Sequence, residues 1–316
     1  MPSISGHSGA TPGRGSTVIR RADKRSVLVV EVGPRDGLQN EPGTIPTEVK
    51  VQFVNDLSAA GLRVIETTSF VNPKAVPQLA DAGEVMRQIV RHPGVRYPVL
   101  VPNLKGFERA IGGDATAIAL FTAATEAFAS ANVGTSIAGT FVRFAPILER
   151  ARKMDVWVRG YISVAFGCPY TGEVSPTTVV DLASRLFELG CSEVAIADTI
   201  GVATPDDVDR LLRVLAATMP ISQIALHFHD THGQALRNVE VGLSHGIHIF
   251  DAAAGGLGGC PFAPGAPGNL ATETLVQYLD ERGDSTGVRR DGVAAATSTL
   301  RAHLTASDRN PRRLHP

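Results

Sequence analysis

From Ser26 onward, short β-branched apolar runs alternate with longer stretches whose apolar residues recur every three to four positions, the rhythm of parallel strands joined by helical crossovers. Eight runs read as strands, at residues 27–32, 64–68, 97–101, 117–121, 156–165, 193–197, 224–229 and 247–252. Helices fit between them. One spans 47–60 with Thr47 as its expected cap; another starts at Thr204, with Pro205 at its first position and Asp206 and Asp207 in its first turn. Eight strand–helix units predict an α/β fold of the TIM (β/α)8 type, with an open doubly wound sheet as the alternative. The turn after the first run lacks Gly-x-Gly-x-x-Gly, which weighs against a dinucleotide-binding sheet. The expected organisation is an N-terminal tail at 1–25, a catalytic barrel at 26–283, and a C-terminal segment at 284–316. That last segment holds a helix around 293–304 and a polar tail, packing under the barrel or against another subunit of a homo-oligomer, dimer or higher.

A barrel places its active site at the C-terminal ends of the strands, and those ends are polar. The first run ends in Arg35 and Asp36, the second in Glu66, Thr67, Thr68 and Ser69, the third in Asn103. Gly167 and Cys168 follow the fifth, Asp198 and Thr199 the sixth. The seventh, IALHFHDTHG, delivers His227 and His229, and the eighth opens into AGGLGGCPFAPGAPGN.

Side chains two apart on a strand share a face at about 7 Å, so both imidazoles lean into one space. That spacing suits one divalent cation, although buried histidines with purely structural partners are equally common, so the partners decide. Asp36 and Asn269 would add oxygen ligands. The set contains no thiolate and suits six-coordinate Mg²⁺ or Mn²⁺ better than tetrahedral zinc. Taken singly, Asp36 is a turn residue before Gly37, and Asn269 a helix N-cap.

Arg35 alone would read as a salt-bridging residue. Fixed beside a cation, it can instead hold negative charge developing on a carbonyl oxygen. Glu66, Asp198 and Glu273 lie at the same rim and are expected to shift one another's proton affinity. Cys260 sits in the Gly-rich loop, where a thiol titrates close enough to neutrality to carry a proton to a carbanion. Cys191 precedes a strand and reads as a small core residue; Cys168 lies on the functional face with its role open.

Composition narrows the partner. A formal charge of -1 with 5% aromatic residues leaves no basic stripe interleaved with stacking side chains, so nucleic acid is excluded. The apolar runs fall well short of the roughly 20 residues a bilayer demands, which excludes a membrane partner. Three cysteines without a close pair indicate a reducing, cytoplasmic setting. Residues 1–25, rich in Ser, Gly and Arg, contain no apolar signal block; a disordered tail is expected, with an organellar transit peptide as the alternative.

The assembled segments EVGPRDGLQNE, VIETTSFVNPKAVPQ, VPNLKGFERA, RGYISVAFGCPYTGEVSP, ADTIGVATP, HFHDTHGQAL and GLGGCPFAPGAPGNLATE resemble the 3-hydroxy-3-methylglutaryl-CoA lyase family, within the metal-dependent TIM-barrel lyases and synthases. The resemblance covers about residues 29–281. It implies Asp36, His227, His229 and Asn269 as ligands of Mg²⁺ or Mn²⁺, Arg35 as the enolate-stabilising cation, Cys260 as the loop thiol in proton transfer, and Glu66, Asp198 and Glu273 as supporting acids. It implies an acyl-CoA substrate cleaved by a retro-Claisen reaction, with His227 or Asp36 as the base that takes the hydroxyl proton. A longer-chain 3-hydroxy-3-alkylglutaryl-CoA is one alternative substrate; a Claisen synthase of the isopropylmalate or citramalate type is the alternative reaction. Pro42 stands where the family often has Lys, ASANVGTSI lacks its usual Lys-Asn pair, and His232 replaces a frequent Tyr. These positions bear on the acyl chain and the CoA contacts.

Overall fold

In the computed structural model, residues 26–258 and 268–308 are described. The readings for 1–25, for Cys260 with most of its Gly-rich loop, and for the end of the polar tail lie outside those residues.

All eight expected strands form. They are Leu28–Glu31, the split second strand Val64–Ile65 and Thr68–Ser69, Val99–Leu100, Ala117–Ala123, Trp157–Ser163, Glu193–Asp198, Ile224–Phe228 and Ile249–Ala252. Their pairings are all parallel. The order of pairing runs from Val64–Ile65 through the first, eighth, seventh, sixth, fifth, fourth and third strands to Thr68–Ser69. Both ends of that order belong to one stretch of chain, so the ladder closes on itself and the fold is a barrel. The two halves meet at Glu66 and Thr67, whose N–H groups turn to opposite neighbours: Glu66 N donates to Glu31 O at 2.8 Å and Thr67 N to Pro98 O at 2.9 Å.

The apolar shell between strands and helices forms one continuous core. Inside the ring, Leu100, Ala119, Tyr161, Ala195 and Ala225 pack together as a separate cluster. Three of those five are alanines, and Ala119 and Ala195 pair with the fifth strand at Arg159 and Tyr161. The small neighbours leave room inside the ring for Arg159, the largest fully buried side chain.

Local signals mostly hold. Thr204 caps the helix Pro205–Thr218 in a reciprocal box with Asp207. Thr47 does not cap: the helix Thr47–Ala59 follows Pro46, and the Thr47 hydroxyl donates to Asp81 Oδ2 at 2.7 Å. The fifth strand stops before 165 because Val164 turns the chain with a φ of 52°. The C-terminal helix Arg290–Asp308 starts earlier than expected and lies along the barrel wall. Arg289 N donates to Ala60 O at 2.8 Å, and Gly292 comes so close to Ala60 that a Cβ would sit 3.0 Å from that residue's Cβ. Among the described residues, no helix is long and apolar enough to cross a membrane.

Candidate metal centre and active site

Beyond the first strand, residues Gly33–Gly37 make one wide turn in which Arg35, Asp36 and Gly37 all donate their N–H to Val32 O, at 3.2, 2.7 and 3.3 Å. The turn sets Arg35 and Asp36 side by side at the mouth. Across the mouth, the end of the seventh strand supplies His227 and His229, with ring centroids 5.3 Å apart. Ligand atoms of Asp36, His227 and His229 all lie within 4.8 Å of one another.

Asn269 joins them through the backbone. It forms an isolated antiparallel bridge with His229, and its Nδ2 donates to Asp36 Oδ2 at 2.8 Å and to Leu257 O at 3.0 Å. It is not a helix cap, because the following helix begins at Thr272 after Ala271. Two buried polar atoms here, His229 Nδ1 and Asn269 Oδ1, have no hydrogen-bond partner. Buried polar atoms are rarely left so, and a carboxylate, two imidazoles and an amide oxygen are the donor chemistry that a divalent cation takes.

The protonation states agree. Burial raises the Asp36 carboxyl, but Arg35, His227 and His229 outweigh it and bring it down to about 2. Burial, then neighbouring His227, lowers His229 to about 4 against the pull of Asp36. At neutral pH the pair is therefore carboxylate and neutral imidazole, the ligating forms.

Arg35 is buried beside this cluster. Its Nη1 donates to Asp36 Oδ1 at 2.5 Å and its Nη2 to Glu66 Oε2 at 2.9 Å. Burial opposes its charge; Glu66 and Asp36 hold the charge on. Gln39 Nε2 also donates to Asp36 Oδ1, at 3.0 Å.

Behind these residues lies a layer that the sequence reading missed. The Tyr161 hydroxyl donates to Glu66 Oε2 at 2.9 Å and accepts from Arg159 Nη1 at 3.0 Å. Arg159 Nη2 donates to Asp251 Oδ1 at 2.6 Å, and its Nε lies 2.9 Å from Glu193 Oε1. Asp251 Oδ2 in turn sits 3.2 Å from His227 Nδ1. The available signal was a charge inside each apolar strand: Arg159 in WVRGYIS, Asp251 in IFDA, Glu193 in EVAIAD and Glu31 in LVVE.

The three rim acids do not form one coupled pocket. Glu66 holds Arg35, whereas Asp198 gives its oxygens to Val202 N and Ala203 N, at 3.0 and 2.9 Å. Its carboxyl rises to about 6 because of burial, opposed by those N–H groups and by His227, not because of the other acids. Glu273 accepts from Gly255 N at 2.8 Å and from the Thr297 hydroxyl at 2.9 Å, bracing the base of the Gly-rich loop against the C-terminal helix. Glu273 acts instead on Glu31, whose carboxyl burial lifts to about 7.

Cys191 is buried, and burial pushes its thiol to about 12, as befits a core residue. Cys168 is buried in the small hairpin Gly167–Cys168 and Gly172–Glu173, with Sγ 3.1 Å from Thr125 Oγ1. His232 is exposed in the turn after the seventh strand.

Side chains that could hold a divalent cation, gathered at the C-terminal strand ends of a closed parallel barrel, are the build of a metal-dependent barrel enzyme, and this chain is of that class. The HMGL-like family pattern matches residues 26–300, and the chain belongs to that family. It is 50% identical over 262 residues to the mouse cytoplasmic 3-hydroxy-3-methylglutaryl-CoA lyase, covering 83% of this chain and 76% of that one. The crystal structure of hydroxymethylglutaryl-CoA lyase from Pseudomonas aeruginosa superposes with a TM-score of 0.87 at 48% identity, over 89% of this chain and 94% of that one. The Acinetobacter baumannii HMG-CoA lyase in complex with coenzyme A and 3-methylmalate superposes with a TM-score of 0.84 at 39% identity, over 92% and 97%.

Proposed function

We propose that the protein cleaves 3-hydroxy-3-methylglutaryl-CoA to acetoacetate and acetyl-CoA, with Mg²⁺ or Mn²⁺ held by Asp36, His227, His229 and Asn269. The observation that carries this reading is the buried Arg35 guanidinium against the Asp36–His227–His229 cluster. A fixed positive charge there would face an enolate oxygen forming beside the bound hydroxy acid, which supports the reading. The lyase relatives and the coenzyme A complex of one of them support the same substrate class.

A divalent cation bound there supplies Lewis-acid polarisation of the substrate's tertiary hydroxyl and carboxylate oxygens. The hydroxyl proton passes to the Asp36–His227 side of the cluster, and its oxygen becomes the ketone of acetoacetate as the C2–C3 bond breaks. The bonding electrons move onto the thioester, leaving negative charge on its oxygen. Arg35 faces that charge from a water-poor site, where a fixed donor contributes more than it does in solution. Glu66 and Tyr161 keep the guanidinium aimed. Cys260 then returns a proton to the enolate carbon, completing acetyl-CoA. Asp198 and Glu273 hold the loops that frame the mouth. The reading extends to the cytoplasm, the location in the mouse relative's name.

Incubating the purified protein with 3-hydroxy-3-methylglutaryl-CoA, with and without Mg²⁺, and measuring acetoacetate tests substrate, reaction and cofactor together. Acetoacetate only with the cation is expected. Release of free CoA from acetyl-CoA and a 2-oxo acid, with no acetoacetate formed, would assign the site to a condensing synthase instead.

A further inference from the structure

The charges behind His227 have no role in the reaction as derived so far. Asp251 is 2% exposed and sits in the eighth strand with its two oxygens divided: Oδ1 accepts from Arg159 Nη2 at 2.6 Å, and Oδ2 faces His227 Nδ1 at 3.2 Å. Arg159 is itself fixed on three sides, by Asp251, by Glu193 at 2.9 Å, and by the Tyr161 hydroxyl at 3.0 Å. Tyr161 also meets the His227 ring edge-on, at 6.5 Å between centroids with planes at 90°. Neither the Asp251 rotamer nor the His227 ring plane is free.

We propose that Asp251, clamped by Arg159, is the positioning residue that holds His227 in the tautomer with its proton on Nδ1, so that the Nε2 lone pair is the one presented to the cation site. The inference rests on the metal-site reading above. Its physical basis is the one-way character of the groups. An ionised carboxylate only accepts hydrogen bonds, so the imidazole nitrogen facing it must carry the hydrogen. The Arg159 guanidinium, which stays charged, lies 2.6 Å from Asp251 Oδ1 with both side chains buried, so Asp251 stands there as a carboxylate. Groups that stand behind a ligating histidine in this way fix both its tautomer and its ring orientation.

Arg159 makes the proposal sharper than a generic carboxylate–histidine pair, because it dictates what an amide would do in place of Asp251. In Asp251→Asn, the guanidinium can only donate, so the amide oxygen must turn to Arg159 and the amide NH₂ must turn to His227. That NH₂ also only donates. His227 Nδ1 is then forced to accept, the ring proton moves to Nε2, and the lone pair is withdrawn from the cation site with scarcely a change of shape. A variant that leaves volume and packing intact would thus invert the tautomer. Arg159 joins the two halves of the site, reaching His227 through Asp251 and Arg35 through Tyr161 and Glu66.

The test uses the full chain with ¹⁵N-labelled histidine and Mn²⁺ titration without substrate. The His227 signals are assigned by their absence from a His227→Gln spectrum. Metal-free wild type is expected to show His227 protonated at Nδ1. Asp251→Asn is expected to show the proton on Nε2, with Mn²⁺ bound about 10- to 100-fold more weakly. An Nε2–H tautomer in the wild type overturns the proposal even where the variant does not fold. So does an Asp251→Asn protein that binds Mn²⁺ as tightly as the parent. Failure of the parent reading looks different: wild type and His229→Ala would then bind Mn²⁺ equally poorly, whatever the tautomer of His227.

Discussion

Glu66 holds Arg35 with one oxygen only: Oε2 lies 2.9 Å from Arg35 Nη2 and also 2.9 Å from the Tyr161 hydroxyl, while Oε1 and Arg35 Nε have no hydrogen-bond partner. The guanidinium is anchored along its Nη1–Nη2 edge, by Asp36 on one side and Glu66 on the other. Replacing Arg35 with Met is therefore expected to lower kcat by roughly 10²- to 10³-fold, about 3–4 kcal/mol, the size of a lost oxyanion donor. Mn²⁺ affinity should stay within a few-fold of the parent, because Arg35 offers no ligand atom. Lys should restore little, since a single ammonium cannot span Asp36 and Glu66 as the planar fork does. Steady-state kinetics beside a Mn²⁺ titration reads both effects, and a Met variant with parental kcat removes Arg35 from the chemistry.

The orphaned His229 nitrogen and Asn269 oxygen give the metal its own prediction. A cation that binds only the folded chain stabilises it by about 2.7 kcal/mol at a hundredfold excess over Kd. The wild-type Tm should rise with added Mn²⁺ or Mg²⁺ and fall back on chelation. His229→Ala should fold but show no such rise. If its melting curve still moves with Mn²⁺ as the parent's does, the cation binds elsewhere.

Glu31 sets a pH dependence of stability that has nothing to do with turnover. Its oxygens accept from Gly33 N and Ala254 N, each at 2.8 Å, and from the Thr272 hydroxyl at 2.6 Å, stitching the first strand to the last. Burial nevertheless raises its carboxyl from 4.5 to about 7. Below 4.5 both folded and unfolded chains hold the proton, so the contribution is complete. Between 4.5 and 7 the unfolded chain gives up its proton first, so stability drains away as pH rises, by at most about 3 kcal/mol. In Glu31→Gln, an amide oxygen can still accept from the two N–H groups and its NH₂ can donate to Thr272, without the titration. Denaturation midpoints at pH 5 and pH 8 should fall in the wild type by more than in the variant; equal pH slopes would show that Glu31 does not titrate in this range.

Much of this was legible in the sequence because strand ends and strand interiors obey different rules. The barrel, the Thr204 cap, and the convergence of Asp36, His227, His229 and Asn269 follow from periodicity and from the rule that function gathers at C-terminal strand ends. The layer behind them did not follow. Arg159 and Asp251 lie on the fifth and eighth strands, 92 positions apart, and meet only because the closed ring turns both inward. Glu193 and Glu31 were read as strand residues and nothing more. Glu273 is expected at the rim with Glu66 and Asp198; that it also braces the C-terminal helix through the Thr297 hydroxyl is a contact between elements that no local pattern announces. Capping by Thr47 and by Asn269 failed because the helices begin elsewhere, so that Pro46 and Ala271 hold the cap positions.

A close backbone approach beside the candidate metal centre lies at Gly258, in the Gly-rich loop and the last described residue before Cys260, with a φ of 91°. A Cβ there would sit 2.8 Å from Asn269 Nδ2, 3.1 Å from Gly37 Cα and 3.2 Å from Asp36 O, against two of the proposed ligand residues at once. Gly258→Ala should therefore do two separable things. The left-handed backbone alone costs on the order of 1–3 kcal/mol of stability, and the crowding should also displace Asn269 and the Asp36 turn, weakening Mn²⁺ binding several-fold. Gly134→Ala is the control: its φ is 63°, with nothing within 4 Å of the added methyl, and it ends the helix Glu126–Val133. It should lose comparable stability and keep parental Mn²⁺ affinity. Equal Mn²⁺ affinities in the two variants would show that the approach at Gly258 constrains the fold but not the ligands.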